Sequence, residues 1–320
     1  MKPLANILAA VCMTGIALAA GAQQAFPNKP VRLIVPLAPG GGTDLAARVV
    51  AQALSERLGQ SVVIENRTGA GGVIGVDAAA KSAADGYTFV IGSTTTMAAN
   101  IFLYKDVPFD PLRDFVPLAM MGTIDFALVV PATLQVNSVQ ELVALARSKP
   151  GQLSYGYGSS AALLCGELFK SIAGVDILKI PYKGTPQSLT DLAAGRIQLV
   201  CEPLGTSLPF ARAGKLRNLA VTSATRNSLA PEVITMAEAG VPMEHGTWAA
   251  FFAPARTPPE ALAKLRAELL NAMKMPGVAE RIRDTGFVPT PAGAESLGAT
   301  HRGDVARLEK LVKEAGIKAE

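Results

Sequence analysis

Apolar and polar positions alternate in a repeating strand-then-helix order along most of the chain. "VRLIV" (31–35) is a short continuous apolar run that predicts a buried strand. "TDLAARVVAQALSERLG" (43–59) then switches to a helical spacing, with Leu45, Val49, Leu54 and Leu58 as its apolar stripe and Gly59 at its stop. "SVVIEN" (61–66) predicts the next strand, about thirty residues after the first, which is the length of a βαβ unit. A helix over 72–83 and a strand over 87–92 continue the series.

The order restarts after residue 123. A strand is predicted over 126–131 and a helix over 138–151. Ser138 and Glu141 stand at the spacing of a capping box at the start of that helix. "LSYGY" predicts a strand, followed by the small residues Gly158, Ser159 and Ser160 and a helix to Ala173. A strand follows at 177–182. Thr185 is then expected to cap a helix, with Pro186 at its first position and Gly195 just past its end. Strands at 197–202 and 216–223 complete the set, and the tail from Pro258 reads as mostly helical. The segments 116–131 and 216–223 are candidate crossings between two α/β lobes. The first lobe is then discontinuous: 23–122 with 225–320, against 123–224 for the second. Hinge motion between them is expected near 122–125 and 221–224.

The N-terminus adds a compartment. Lys2, an apolar run, and the small residues Ala20, Gly21 and Ala22 predict a secretory signal peptide over 1–22, cut after Ala22. Cys12 would leave with it. Val11 makes a poor lipoprotein site, so the mature chain is expected to start at Gln23.

Composition narrows the function. The chain has 320 residues, 49% of them hydrophobic, ample for two cores. Lys+Arg 30 against Asp+Glu 26 leaves +4, and the basic residues are scattered. Nucleic acid and polybasic membrane contact are therefore not expected. His245 and His301 stand far apart, with no CxxC or HExxH, so no metal is expected. Cys165 and Cys201 could pair or could both be buried thiols. The expectation is free thiols, because a domain of this size needs no staple.

No motif calls for a cofactor. "APGGGTDLAAR" lacks the lysine of a P-loop. "GAGGVIG" (69–75) misses its third glycine at Ile74, and no GxSxG elbow occurs. The glycine turns still have a physical use. A helix N-terminus after a glycine-rich turn offers free amides to an anion. Asp44 opposes this in the first turn, and Arg48 four residues on can neutralise it. A carboxylate reached through amides is favoured over a phosphate. A β-branched residue at Gly41 would clash with the ligand or forbid the turn's dihedrals, so Gly41→Val is expected to abolish binding while the protein stays folded.

"FPNKPVRLIVPLAPGGGTDLAAR", "VVIENRTGAGGVIGVDAAAKSAADGYTFVIGS", "DPLRDFVPLAMMG", "ILKIPYKGTPQSLTDLAAGRIQLV" and "AGKLRNLAVTS" resemble the solute-binding proteins of tripartite tricarboxylate transporters, the Bordetella uptake gene family. The resemblance spans essentially the whole mature chain. It implies an α/β, two-lobed type II periplasmic binding-protein fold, with a ligand cleft between two mixed-sheet lobes joined by crossing strands. It implies no enzyme and no cofactor. It implies a monomer that captures a small carboxylate and passes it to membrane permease subunits. A ligand-binding input for a signalling receptor is the alternative.

Carried onto this sequence, the implied ligand loops are Pro39, Gly40, Gly41, Gly42, Thr43 and Asp44, and Gly158, Ser159 and Ser160. Ser93 and Thr94 help, as does the turn of Tyr182, Lys183, Gly184 and Thr185. Two departures stand where the ligand is expected. Leu163 replaces a common His in a shortened second loop, and Glu202 replaces a frequent Asp. Glu202 reads equally as a solvated strand-end acid or as an acceptor for a ligand amine or hydroxyl. Arg67 could pair with a distal carboxylate, but as a lone exposed arginine it reads first as structural.

Overall fold

The computed structural model describes residues 26–182 and 184–314, with Ile317 and Ala319. The predicted signal peptide and Lys183 lie outside the described residues. The elements run β1 (Val31–Val35), α1 (Gly42–Leu58), β2 (Val62–Asn66), α2 (Val73–Ala80) and β3 (Thr88–Ser93). A π turn (Thr95–Ala99) leads into α3 (Asn100–Leu103), and β4 (Phe115–Pro131) follows. Next come α4 (Val139–Ser148), β5 (Ser154–Tyr157), α5 (Ser160–Ala173), β6 (Leu178–Pro181) and α6 (Thr185–Ala193). The rest is β7 (Leu199–Pro203), α7 (Leu204–Arg212), β8 (Leu216–Val221), β9 (Gly246–Pro254), α8 (Pro259–Met273), α9 (Val278–Asp284), β10 (Val288–Gly293) and α10 (Ala294–Glu314).

Local chemistry sets the element ends. Gly59 takes a left-handed φ of 65° and its amide closes α1 on Ser55 O, as a C-terminal glycine should. Ser138 Oγ accepts from Glu141 N at 3.1 Å, and the Glu141 carboxylate accepts from the amide of Asn137, one residue before the cap, so the helix start is capped with the box's return bond shifted by one residue. The helix over 185–193 differs from expectation. Its N-cap is Gly184, and Thr185 lies inside the first turn. That releases the Thr185 hydroxyl for another partner. Within α1, Leu45 is 44% exposed, while Ala46, Ala47 and Val50 are buried beside Leu54. The alanine-rich face packs more closely than the predicted stripe.

One strand organises the sheet. The order is β2-β1-β3-β9-β4-β7-β5-β6, with β8 and β10 also paired to β4. The first part of β4 runs antiparallel to β9, from Phe115 to Asp125. From Phe126 onward it pairs with β7 and β8. Strand β4 is therefore a member of both halves of a curled, mixed sheet. Val31, Leu33 and Phe251 belong to one hydrophobic core, and Leu128, Tyr155 and Phe169 to another; Ile124 packs against both.

The return path corrects an expectation. Strand β8 stays with the second half of β4, so 216–223 is no crossing. Met236, Ala239, Val241 and Met243 are buried in the second core. The chain comes back to the first half only at β9, where Thr247 faces Ile124. We propose that the second lobe comprises 126–245 and that the hinge uses β4 near Ile124–Phe126 and the return at 245–247.

The cysteines give a second correction. Cys165 on α5 and Cys201 on β7 form a disulfide, with Cα atoms 6.0 Å apart. Both are fully buried in the second core. Packing α5 across β7 brings them into the range a disulfide requires, which a separation of 36 residues does not reveal.

Candidate functional site

Between the two halves lies a cavity of about 610 Å³, within the usual range for small-molecule sites. Its lobe-one wall begins at the N-terminus of α1. Gly41 is the N-cap, with φ −74° and ψ 161°, and no side chain caps the helix. The amides of Gly42, Thr43 and Asp44 donate to no partner among the described residues. They are the orphan donors that every helix start leaves. Thr43 lines the cavity; Pro39, Gly40, Gly41, Gly42 and Asp44 do not.

Two of the glycine amides are used internally. Gly40 N donates to Asp44 Oδ2 at 2.9 Å, and Gly41 N to Ala38 O at 3.4 Å. Asp44 also accepts from Arg48 Nε at 2.9 Å and Asn66 Nδ2 at 2.8 Å. Burial works against its charge, but the bonds from Arg48, Gly40 and Asn66 outweigh it and hold the carboxyl below the usual range. Asp44 thus fixes the turn, and its charge is spent on Arg48 and the loop.

Ser93 lines the cavity too. Its amide donates to Thr96 Oγ1 at 2.9 Å and its hydroxyl accepts from Thr96 N at 3.2 Å. That reciprocal pair starts the π turn and brings Thr95 and Thr96 into the wall. Thr94 serves elsewhere. It is buried, and its hydroxyl accepts from Trp248 N at 3.1 Å. Trp248, which lines the cavity, donates its Nε1 to Asp304 Oδ2 at 2.7 Å.

The lobe-two wall contains the second helix start. Ser159 is extended and its hydroxyl accepts from Ala162 N at 3.2 Å. The amides of Ser160 and Ala161 donate to no partner among the described residues. Gly158, Ser159, Ser160, Ala161 and Leu163 all line the cavity. Gly158 allows a close approach: a Cβ there would lie 2.3 Å from Gly184 C and 2.5 Å from Thr185 N. Tyr182 and Thr185 line the same wall. Gly184 does not line it but supports it as the α6 N-cap.

Glu202 completes this wall and is fully buried, which sets aside the solvated reading. Its Oε2 accepts from Thr185 Oγ1 at 2.8 Å and its Oε1 from Ser188 Oγ at 3.3 Å. Burial pushes the carboxyl up to about 7, against the opposing pull of Thr185, Ser188 and the Gly158 amide. The sign of the stability linkage follows. An acid raised from its usual 4.5 favours the fold at low pH and gives that up as pH climbs through 7. His245 is buried, edge-on to Phe126. Burial, with a smaller contribution from Arg307, lowers it to about 4, and its slope over this window runs the other way. Glu202→Gln should therefore gain stability relative to wild type between pH 4.5 and 7. Denaturant titrations across that window check this; parallel profiles would contradict it.

Arg67 is absent from the cavity wall. It is ion-paired with Glu65 on the outer surface. Sequence reasoning missed the aromatic part of the wall: Tyr104, Phe126, Tyr157, Trp248 and Phe287. Among the described lining residues there is no Lys, Arg or His, and Glu202 is the sole carboxyl.

Two α/β halves sharing one long strand around an open cleft, with two helix starts contributing to its walls, define a bilobal solute-binding protein. The family model described as "Tripartite tricarboxylate transporter family receptor" matches residues 46–317, and the chain belongs to that family, TctC. It is a family of periplasmic binding proteins, not of enzymes. The chain is 37% identical to Protein BugT of Bordetella pertussis over 96% of its length and 95% of the relative's. Among solved structures it is similar to Rpa4515 of R. palustris with adipate (TM-score 0.82, 38% identity, 92% of this chain and 100% of that one). It is also similar to the periplasmic binding protein BugD (0.78, 30%, 92% and 100%). MatC (Rpa3494) of Rhodopseudomonas palustris with bound malate matches at 0.78 and 29% identity, covering 90% and 100%.

Proposed function

We propose that this protein captures a small carboxylate in the periplasm, between its two lobes, and delivers it to the permease of a tripartite transporter. The observation that carries the reading is a pair of helix starts with unpartnered amides, reaching one cavity at Thr43 and at Ser160–Ala161, with no cation among the described lining residues. Backbone amides and helix dipoles then hold the anion, with Thr43, Ser93, Ser159 and Ser160 adding hydroxyls. The adipate and malate of the related structures support a carboxylate as ligand.

A proline tests the amide contribution. Ser159, at φ −153° and ψ 160°, already has the extended backbone that a residue before proline prefers. Position 160 is the first helical position, where proline is well tolerated. Ser160→Pro should keep the fold and remove one donor. A hydrogen bond to a charged acceptor contributes about 1.5–3 kcal/mol, so binding should weaken roughly ten- to hundredfold. Ser160→Val keeps the N–H and adds bulk, and should lose less. Calorimetry on protein stripped of ligand by unfolding and refolding reads both. Wild-type affinity in Ser160→Pro would sink the amide reading.

A further inference from the structure

We propose that this cavity selects a monocarboxylate with an apolar, preferably aromatic, body over dicarboxylates and tricarboxylates; this rests on the carboxylate reading above. The two helix starts supply one anion site between the lobes. The remaining wall is built for something else. Tyr104, Phe126, Tyr157, Trp248 and Phe287 converge on it, joined by Ile124. Rings of this kind favour flat apolar groups through area and edge-to-face contact.

Among the described lining residues a second carboxylate would find no charge partner. Arg67, the cation best placed in the sequence to meet it, is bonded to Glu65 and stands off the cavity. The sole charged group among the described lining residues is the acid Glu202. That acid already occupies a donor a second carboxylate would need, the Thr185 hydroxyl on the cavity wall. At pH 8.5, where Glu202 is ionised, a distal carboxylate would thus be desolvated next to a like charge, which is costly without a partner. Two related structures hold dicarboxylates, adipate and malate, at 38% and 29% identity. The preference inferred here is a departure by this chain.

Hexanoate and adipate make a matched pair, differing only in whether the far end is a methyl or a carboxylate. 3-Phenylpropionate adds a ring to the same single carboxylate. Calorimetry on the refolded mature chain at pH 8.5 should rank 3-phenylpropionate first. Hexanoate should bind at least about tenfold more tightly than adipate. Glu202→Gln should narrow that gap by strengthening adipate binding. Adipate binding as tightly as hexanoate, or more tightly, overturns the proposal and leaves the carboxylate reading standing. No binding of these three or of malate would overturn both together. An unchanged gap in a folded Glu202→Gln protein would remove Glu202 as the cause. The wild-type comparison holds whatever the stability of that variant.

Discussion

Gly158→Val is expected to abolish carboxylate binding while both lobe cores stay folded. The cause is close approach, not dihedral strain. A Cβ at 158 would sit 2.3 Å from Gly184 C, 2.5 Å from Thr185 N and 2.7 Å from Gly184 Cα. All three are backbone atoms, so no side-chain rotation relieves the clash. The turn carrying Tyr182 and Thr185 must move outward, taking with it the hydroxyl that holds Glu202. The second helix start loses its facing wall. Two or three charge-assisted contacts at about 1.5–3 kcal/mol each amount to a loss beyond a hundredfold. Calorimetry with circular dichroism as the folding control measures it, and near-normal affinity would contradict the site. At Gly41 the dihedral ground for the expected loss of binding falls away, leaving a clash with the ligand as the remaining one. Its φ and ψ are open to any residue, and a Cβ would meet only Ala38 O, at 3.5 Å. The backbone therefore tolerates Gly41→Val.

The second large effect concerns the disulfide. The double replacement Cys165→Ala with Cys201→Ala should destabilise the second lobe by ~4 kcal/mol, the chain-entropy cost of freeing a loop of this length. The loop spans 36 residues of separation and includes α6, β6 and the Tyr182–Thr185 turn. Binding should weaken as well, since Cys201 precedes Glu202 and Cys165 lies on the same helix as the Ser160 amide. Guanidinium unfolding with and without reductant would show the difference. Two free thiols by non-reducing peptide mapping of the exported protein, or coincident unfolding curves, would refute it.

How far the sequence alone could be read depends on whether the signal is local. Strands β1 to β3, the helix cap at Ser138 and the glycine stop at Gly59 are set by residues within one turn of each other, and all appear where the periodicity puts them. Strand β9 was not predicted. "GTWAAFFAP" is apolar on both faces because it lies between β3 and β4, and a run without alternation has no period to detect. The segment 225–245 looks like loop, yet Met236 and Met243 are buried in the second core. The site divides in the same way. The two helix starts follow from small-residue turns ahead of helical runs. The aromatic wall does not, because residues 104, 126, 157, 248 and 287 meet only when β4 and β9 bring the halves together. Thr94 and Asp44 have the right chemistry for a ligand, but tertiary partners claim them: the Trp248 amide in one case, and Gly40, Arg48 and Asn66 in the other.

The central claim is that backbone amides at two facing helix starts hold the carboxylate. Amide proton and nitrogen shifts of the isotope-labelled mature chain, followed during titration with 3-phenylpropionate, test it most directly. A hydrogen bond to a carboxylate moves an amide proton downfield. The largest downfield shifts should fall on Gly42, Thr43 and Asp44 and on Ser160 and Ala161, saturating together at one equivalent. Saturation without movement of these amides, and with the main changes at the side chains of Arg67 or Lys183, would contradict the account.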